Sequence, residues 1–584
     1  MLFILSLLIT IILRGSPSGR YPFIDIFKSI VFFFIYLQIS ATCLLFLGLL
    51  SPLSAFLTVI IPPLFFWNKP TKAINFKPLL PFLPIFLLYL FFALPDPFLR
   101  DSLTYHLSLS KHYAQTGALI ETDEVIFGYF PQGWQAILAL FQSISSIEPA
   151  PISPRLLAVF LSLGTGFGIT GILLKENVKT FLAVLAGIMF LLIPTALEFG
   201  TSCYVQAWLV LLGLYTVHSF LRDASPLKIG MLVGLLCSLK YSSLFWLLLF
   251  GFVYVYRKNL LFFLGAILTG FPFYLRNFWC KENPIFPLSY GIFGGEGWDE
   301  WRALAYSITL QNYGMGRELI DYILLPLRLF LTQEMYDHFE GSLGLGLGLL
   351  ILGTLFSFRQ LKKQEYWLLY FALGWSFLWA FQVQQIRFLM PIIPLFFVVS
   401  VPILSQRISI ALPFFFAISF FQALTPFQQF WKAQKPLVFY QHGTTAYLER
   451  QLPENYPVYE YLNAQEAQKI WLVWMRGYHY YLDHPVRIDS IIEGYRFENL
   501  LYEKREQPEE LIMTLRKEQI SHIVVNWRFF LQDENADRLG EGQTQRLQEL
   551  MLSLIQQQQL KPEKTFGPVT VYSIESSSKS EDSK

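Results

Sequence analysis

Apolar positions in this chain come in long unbroken blocks, with neither the period of two of a half-buried strand nor the one-sided 3.6 period of a soluble surface helix. The blocks fall near 1–13, 28–49, 51–67, 78–95, 152–174, 181–199 and 203–221, then near 229–242, 243–256, 260–275, 341–357, 366–383, 388–405 and 409–424. A bilayer crossing takes about 20 apolar residues, fewer where helices are short or broken. The pattern predicts a mainly α chain, a polytopic transmembrane bundle of about 12–14 helices over residues 1–424. The opening "MLFILSLLITIILRGS" lacks a basic start and a small-residue cleavage site, so it reads as a first short membrane helix rather than a signal peptide.

Polar punctuation between the blocks predicts their orientation. Basic residues collect in alternate loops: Arg14, Arg20 and Lys28; Lys69, Lys72 and Lys77; Lys175 and Lys179; Arg222 and Lys228; Arg257 and Lys258; Arg359, Lys362 and Lys363; Arg407. Short loops rich in Lys and Arg stay cytoplasmic. The opposite loops, 96–151, the turn near 200, 276–340 and 382–387, are then expected on the outer face of a plasma (inner) membrane, as is everything after residue 424. The last stretch changes character. "KIWLVW" (469–474), "HIVVNW" (522–527) and "FGPVTVYSI" (566–574) read as strands and "PEELIMTLRKEQ" (508–519) as a helix, which predicts a soluble extracytoplasmic α/β domain over 425–584, with a disordered end from about 575.

Composition agrees with a membrane protein. The 584 residues are 54% hydrophobic and only 15% charged, too apolar for a soluble fold to bury. A net charge of +2, split among loops, carries no nucleic-acid signal. Cys43, Cys203, Cys237 and Cys280 show no metal-ligand spacing, and three lie in apolar blocks as small hydrophobes. An outer-membrane barrel is excluded, because the blocks are helical in length.

The candidate chemistry clusters at the outer mouths of helices. In "FLRDSLTYHLSLSKHYAQTG" (98–117), Asp101, Tyr105, Ser108 and His112 share one helix face, and Leu103, Leu107 and Ala114 another. That pattern predicts a helix lying on the membrane surface, apolar side down. Asp101 reads either as a helix cap or as a catalytic carboxylate. Glu121, Asp123 and Glu124 could supply a second carboxylate or a metal site, or form a solvated turn, and Tyr129 and Trp134 are expected at interface depth. Lys240 within an apolar run, Arg276 at a helix exit and Arg387 beside Gln385 at a helix entry are costly cations on the same face. "GSLGLGLGLL" (341–350) lacks the strand and lysine of a phosphate loop and reads as close helix packing. One acid and several cations at one face suit a base working beside a held phosphate leaving group.

The ordered set "RDSLTYHLSLSKHYAQTG", "YFPQGWQAI", "LKYSSL", "YLRNFWCKENPIFP", "FEGSLGLGLGLL" and "QQIRFLMPIIP", spanning roughly 96–396, resembles the glycosyltransferase C superfamily, which includes protein O-mannosyltransferases and the aminoarabinose transferase of lipid A. The resemblance implies a catalytic acid in the first outer loop, carried over to Asp101, and a polyprenyl- or dolichyl-phosphate sugar as donor. It further implies that Lys240, Arg276 and Arg387 face the donor phosphate, and that an outer C-terminal domain is common. Many members carry two adjacent acids where this chain has Asp101 and Ser102, so a metal-independent mechanism is expected and no cofactor is required.

The expectation is therefore an inverting transfer of a sugar from a lipid-linked donor to a protein, lipid or polysaccharide acceptor. Asp101 is the base, Lys240, Arg276 and Arg387 clamp the phosphate, and Tyr105, His106, Glu121, Asp123 and Glu124 shape the loop or face the acceptor. A flippase would instead place charges at mid-membrane with symmetric halves. A non-catalytic assembly protein would use Asp101 only as a cap.

Overall fold

The computed structural model describes residues 6–7, 10, 22–63, 77–120, 124–144, 153–331, 334–356, 361–407, 411–489, 495–531 and 542–574. The fold is a polytopic helical bundle followed by a small α/β unit. Among the described residues four helices are long and apolar enough to cross a membrane: Pro22–Phe46, Pro154–Lys175, Leu261–Lys281 and Ile386–Gln406. Thr180–Leu191 and Pro194–Gly200 form a fifth such element bent by 69°. Pro194, which cannot donate to the preceding turn, falls at the break. Lys77–Ala93, Gln206–Leu221, Pro226–Cys237, Tyr241–Tyr256 and Leu345–Phe356 are shorter apolar helices. The apolar blocks thus become helices in the expected order, but proline and glycine break them into more pieces than block length alone indicates. The expected helix at 1–13 lies largely outside the described residues.

Small residues and buried amides bind the bundle. Pro226–Cys237 packs on Leu261–Lys281 so closely that a Cβ at Gly230 would stand against the Phe262 carbonyl oxygen and one at Gly265 against that of Leu227. Gln38 joins three helices: its Nε2 donates to Leu235 O at 3.0 Å and Ser238 Oγ at 2.8 Å, and its Oε1 accepts from Trp208 Nε1 at 2.7 Å. Such interhelical bonds contribute about 0.6 kcal/mol each in a bilayer. Arg155 is 2% exposed and ties the 95–96 turn to Thr201, donating to the carbonyl oxygens of Pro95, Asp96 and Thr201. The glycine-rich 341–350 run packs as expected: a Cβ at Gly346 would collide with Ser419, and one at Gly348 with Phe330. Tyr256, Phe356, Leu260 and Leu319 remain exposed on the outside of the bundle, where lipid takes the place of water.

The last apolar helix, Ala411–Gln434, leads through Pro436–Gln451 and Tyr456–Asn463 into a sheet. Its strands are β1 (Lys469–Val473), β2 (Val486–Asp489), β3 (Ile520–Asn526), β4 (Leu560–Phe566) and β5 (Val569–Ile574), in the order β2-β1-β3-β5-β4. β2 and β3 run parallel to β1, whereas β3–β5 and β5–β4 are antiparallel. β1 and β3 carry the runs read as strands, and the helix Pro508–Lys517 matches its expected place. β2 and β4 escaped the sequence, since "VRID" is too short and "LKPEKTF" is exposed at five of its seven positions.

Candidate functional site

The chain leaves Lys77–Ala93 through a turn that holds Pro95 and Pro97 and re-enters helix at Arg100. Residues Ser102–His106 form a π-helical turn, a widened turn that recurs at functional sites. Asp101 stands at its start without capping it. Its Oδ2 instead accepts from Arg387 Nη1 at 2.6 Å and from the Tyr105 hydroxyl at 3.1 Å. The apolar side of this helix does not face lipid as expected. Leu103 and Leu107 are fully buried in the chain's own core, because Gly133–Ile144 packs directly against this segment.

Around the pair opens a cavity of about 410 Å³, lined by Asp101, Tyr105, His106, Lys240, Gln385 and Arg387 from the bundle. Tyr306, Thr309 and Tyr313 close one side, and Trp474, Arg476, Tyr478 and Phe529 reach it from the C-terminal unit. Lys240 lies in the turn between two short helices, with Nζ 4.3 Å from the centre of the Phe388 ring. Arg387 is held from behind: its Nε donates to Gln385 Oε1 at 3.0 Å, and Gln385 Nε2 donates to Glu340 Oε2 at 2.6 Å. The sequence gives no sign of Glu340 in this relay, since it lies 45 positions from Gln385.

Electrostatics follow from burial and crowding. Burial alone would push the Asp101 carboxyl up, but the charge of Arg387, followed by His106, Lys240 and Arg100, outweighs it and holds the group at about 2. Burial, then the like charge of Arg387, brings the Lys240 ammonium down to about 7, with Asp101 opposing. Burial keeps His106 neutral, at about 3; its Nδ1 lies 3.3 Å from Gln135 Nε2. The cavity therefore combines an ionised carboxylate, a permanent guanidinium and an amine that changes charge near neutrality.

Other candidates are placed elsewhere. Arg276 does not line the cavity; its Nη2 donates to Gly128 O at 2.6 Å and to Asn277 Oδ1 at 3.1 Å. With Tyr241, whose hydroxyl donates to Tyr129 O and Phe286 O, it braces the turn that supplies Phe127, Phe130 and Pro131 to the cavity wall. Glu124 accepts at Oε2 from Arg496 Nη1 at 2.7 Å and from Ile488 N at 3.0 Å, joining the outer loop to the C-terminal unit. Glu121 and Asp123 lie outside the described residues. Tyr129 and Trp134 are buried within the protein, with Trp134 Nε1 donating to Cys203 O at 2.7 Å. Among the described residues no cluster of His, Cys, Asp and Glu could hold a metal ion.

Sequence reasoning missed the contribution of the C-terminal unit to the cavity. Trp474, Arg476 and Gly477 all adopt left-handed backbone, with φ of 59°, 58° and 68°, which turns the chain sharply after β1. A Cβ at Gly477 would lie 3.3 Å from Thr104 Cγ2, so the turn abuts the helix that carries Asp101. The sequence signal was the glycine directly after "WMR", at the end of a buried strand.

Comparison with known proteins places the fold. No family model and no curated protein matches the chain. Among solved structures, ArnT from Cupriavidus metallidurans bound to undecaprenyl phosphate aligns with a TM-score of 0.52 at 14% identity, over 86% of this chain and 99% of that one. ArnT from the same organism in the apo state aligns with a TM-score of 0.53 at 13% identity, over 85% and 97%. At this identity the likeness is one of fold.

Proposed function

We propose that the protein is an integral membrane glycosyltransferase that moves a sugar from a polyprenyl-phosphate donor to an acceptor on the extracytoplasmic face. The observation that carries the reading is the Asp101–Arg387 pair, 2.6 Å apart in a cavity that Lys240 also lines. The fold adds support, since the solved neighbour ArnT binds undecaprenyl phosphate. Alternating basic loops favour an outer-facing cavity in a plasma membrane.

In this reading the donor's phosphodiester enters beside Lys240 and Arg387. Asp101 takes the proton of an acceptor hydroxyl or amine, and the freed oxygen or nitrogen attacks the sugar's anomeric carbon. The bond from that carbon to the phosphate oxygen breaks, the electron pair leaves with polyprenyl phosphate, and the two cations hold the departing charge. A single displacement inverts the anomeric centre. A carboxylate held at about 2 is a weak base, and the phosphate corrects this by drawing Arg387 away from it. Arg276 serves the cavity wall rather than the phosphate, and Glu124 the docking of the C-terminal unit. No step needs a metal.

The test is to present the purified protein with a panel of polyprenyl-phosphate sugars and to follow release of polyprenyl phosphate and the anomeric configuration of the product. Release with inversion supports the reading. Retention would indicate a covalent sugar–enzyme step, and binding without release across all donors and acceptors would favour transport or assembly.

A further inference from the structure

Counting charge around the cavity leaves a surplus. Its lining holds Arg100, Lys240, Arg387 and Arg476 against one carboxylate, Asp101. Asp101, paired with Arg387, and the single negative charge of a donor phosphodiester together offset Lys240 and Arg387. Arg100 and Arg476 remain. Both are exposed, and among the described residues neither has a carboxylate partner. Arg476 instead rests its guanidinium 4.9 Å from the centre of the Phe529 ring.

Their placement is constructed rather than incidental. Arg100 directly precedes Asp101 on the helix that opens the cavity. Arg476 projects from the left-handed turn after β1, at a φ of 58°, a conformation that disfavours a non-glycine residue. The turn is pressed against Thr104 at Gly477, so one arginine from the bundle and one from the C-terminal unit open on the same space. The Tyr481 hydroxyl, donating to Pro97 O at 2.6 Å, and the Lys111–Asp483 ion pair at 2.9 Å hold these two walls together. Two exposed guanidiniums outside any ion pair among the described residues, with Arg100 feeling only the more distant charges of Asp101 and Glu340, face one cavity and suit the forked oxygens of a phosphate.

We infer that Arg100 and Arg476 form a second anion subsite at the mouth of the cavity, distinct from Lys240 and Arg387, that takes a phosphate-class group. That group is either the outer phosphate of a diphosphate-linked donor or an anionic group on the acceptor. The inference rests on the proposed function only in assigning Lys240 and Arg387 to the donor.

The full-length protein in zwitterionic-lipid nanodiscs is saturated with undecaprenyl phosphate and titrated calorimetrically with inorganic phosphate. The subsite binds phosphate beside the lipid. Substituting Arg100→Gln with Arg476→Gln weakens that binding at least tenfold and leaves undecaprenyl phosphate affinity within twofold. Arg476→Lys restores part of the loss if the variant is merely short of charge. Repeating the titration with undecaprenyl diphosphate separates the sources: displacement of phosphate assigns the subsite to a diphosphate donor, and persistence assigns it to the acceptor. Absence of phosphate binding, binding unchanged in the double Gln variant, or displacement by undecaprenyl phosphate overturns the inference. Phosphate binding that needs the two arginines, with no affinity for undecaprenyl phosphate, would leave the subsite standing and remove the donor reading.

Discussion

Asp101 and Arg387 lie 286 positions apart in the chain and 2.6 Å apart in the fold, and the residues behind them decide what that contact can do. Glu340 fixes the Gln385 amide so that its oxygen faces Arg387. Glu340→Ala releases the relay and is expected to lower donor turnover about tenfold, the worth of one charge-assisted bond. Glu340→Gln, which keeps an acceptor for Gln385 Nε2, should stay near wild type. Equal loss in both variants would show that the charge of Glu340 matters rather than its position. Lys240 supplies a pH test. Burial and the neighbouring Arg387 hold its ammonium down at about 7, and a bound phosphate favours the charged form. Above pH 7 binding must therefore take up a proton, so affinity for undecaprenyl phosphate falls as pH rises through about 7, by at most tenfold per pH unit. Calorimetry across pH 6–9 should show this slope in the wild type and lose it in Lys240→Gln; a flat wild-type profile contradicts it.

At the scale of elements, close backbone packing sets the framework of the site. In Gly230→Ala the new Cβ would meet the Phe262 carbonyl oxygen, forcing Pro226–Cys237 away from Leu261–Lys281 at a cost of about 1–3 kcal/mol. Lys240 follows the first of these helices by a few residues. The melting temperature in detergent should drop by several degrees, with donor affinity falling in parallel, whereas Gly291→Ala, where no atom lies within 4 Å of the added Cβ, should be neutral. The elements themselves were readable in the sequence where composition alone decides them: the apolar blocks became helices, and "KIWLVW" and "HIVVNW" became β1 and β3. Their interruptions were less so, since Pro194 and the widened turn at Ser102–His106 depend on what packs against them. The site was legible as far as an acid and three costly cations at helix mouths could reveal it. Asp101, Lys240 and Arg387 do share a cavity. Arg276 looks the same in sequence, but its guanidinium is taken by Gly128 O, a tertiary contact that no local pattern encodes. Arg476 was invisible because nothing local ties residue 476 to residue 101.

At the scale of the molecule, the C-terminal unit acts as one wall of the cavity. Its seat on the outer loop includes Arg496–Glu124 at 2.7 Å and Lys111–Asp483 at 2.9 Å, with the first pair about three-quarters buried on both sides. A double-mutant cycle on Arg496→Gln and Glu124→Gln should give a coupling of about 1 kcal/mol. Each single variant should raise hydrogen exchange in both 474–478 and 98–106, because the two segments protect each other. Faster exchange in only one of them would show that the unit is held by other contacts.

The central claim, that this cavity cleaves a sugar from a lipid phosphate with Asp101 as base, is tested most directly by comparing polyprenyl-phosphate release by wild type and Asp101→Asn on the active donor. The amide keeps the size of the side chain and can still accept from Tyr105 and Arg387, but it cannot take a proton. The expected result is a folded variant, with wild-type melting and undecaprenyl phosphate binding within a few-fold, whose release rate falls by about 100-fold or more. Release at the wild-type rate would contradict the account and leave Asp101 as no more than the counter-ion of Arg387.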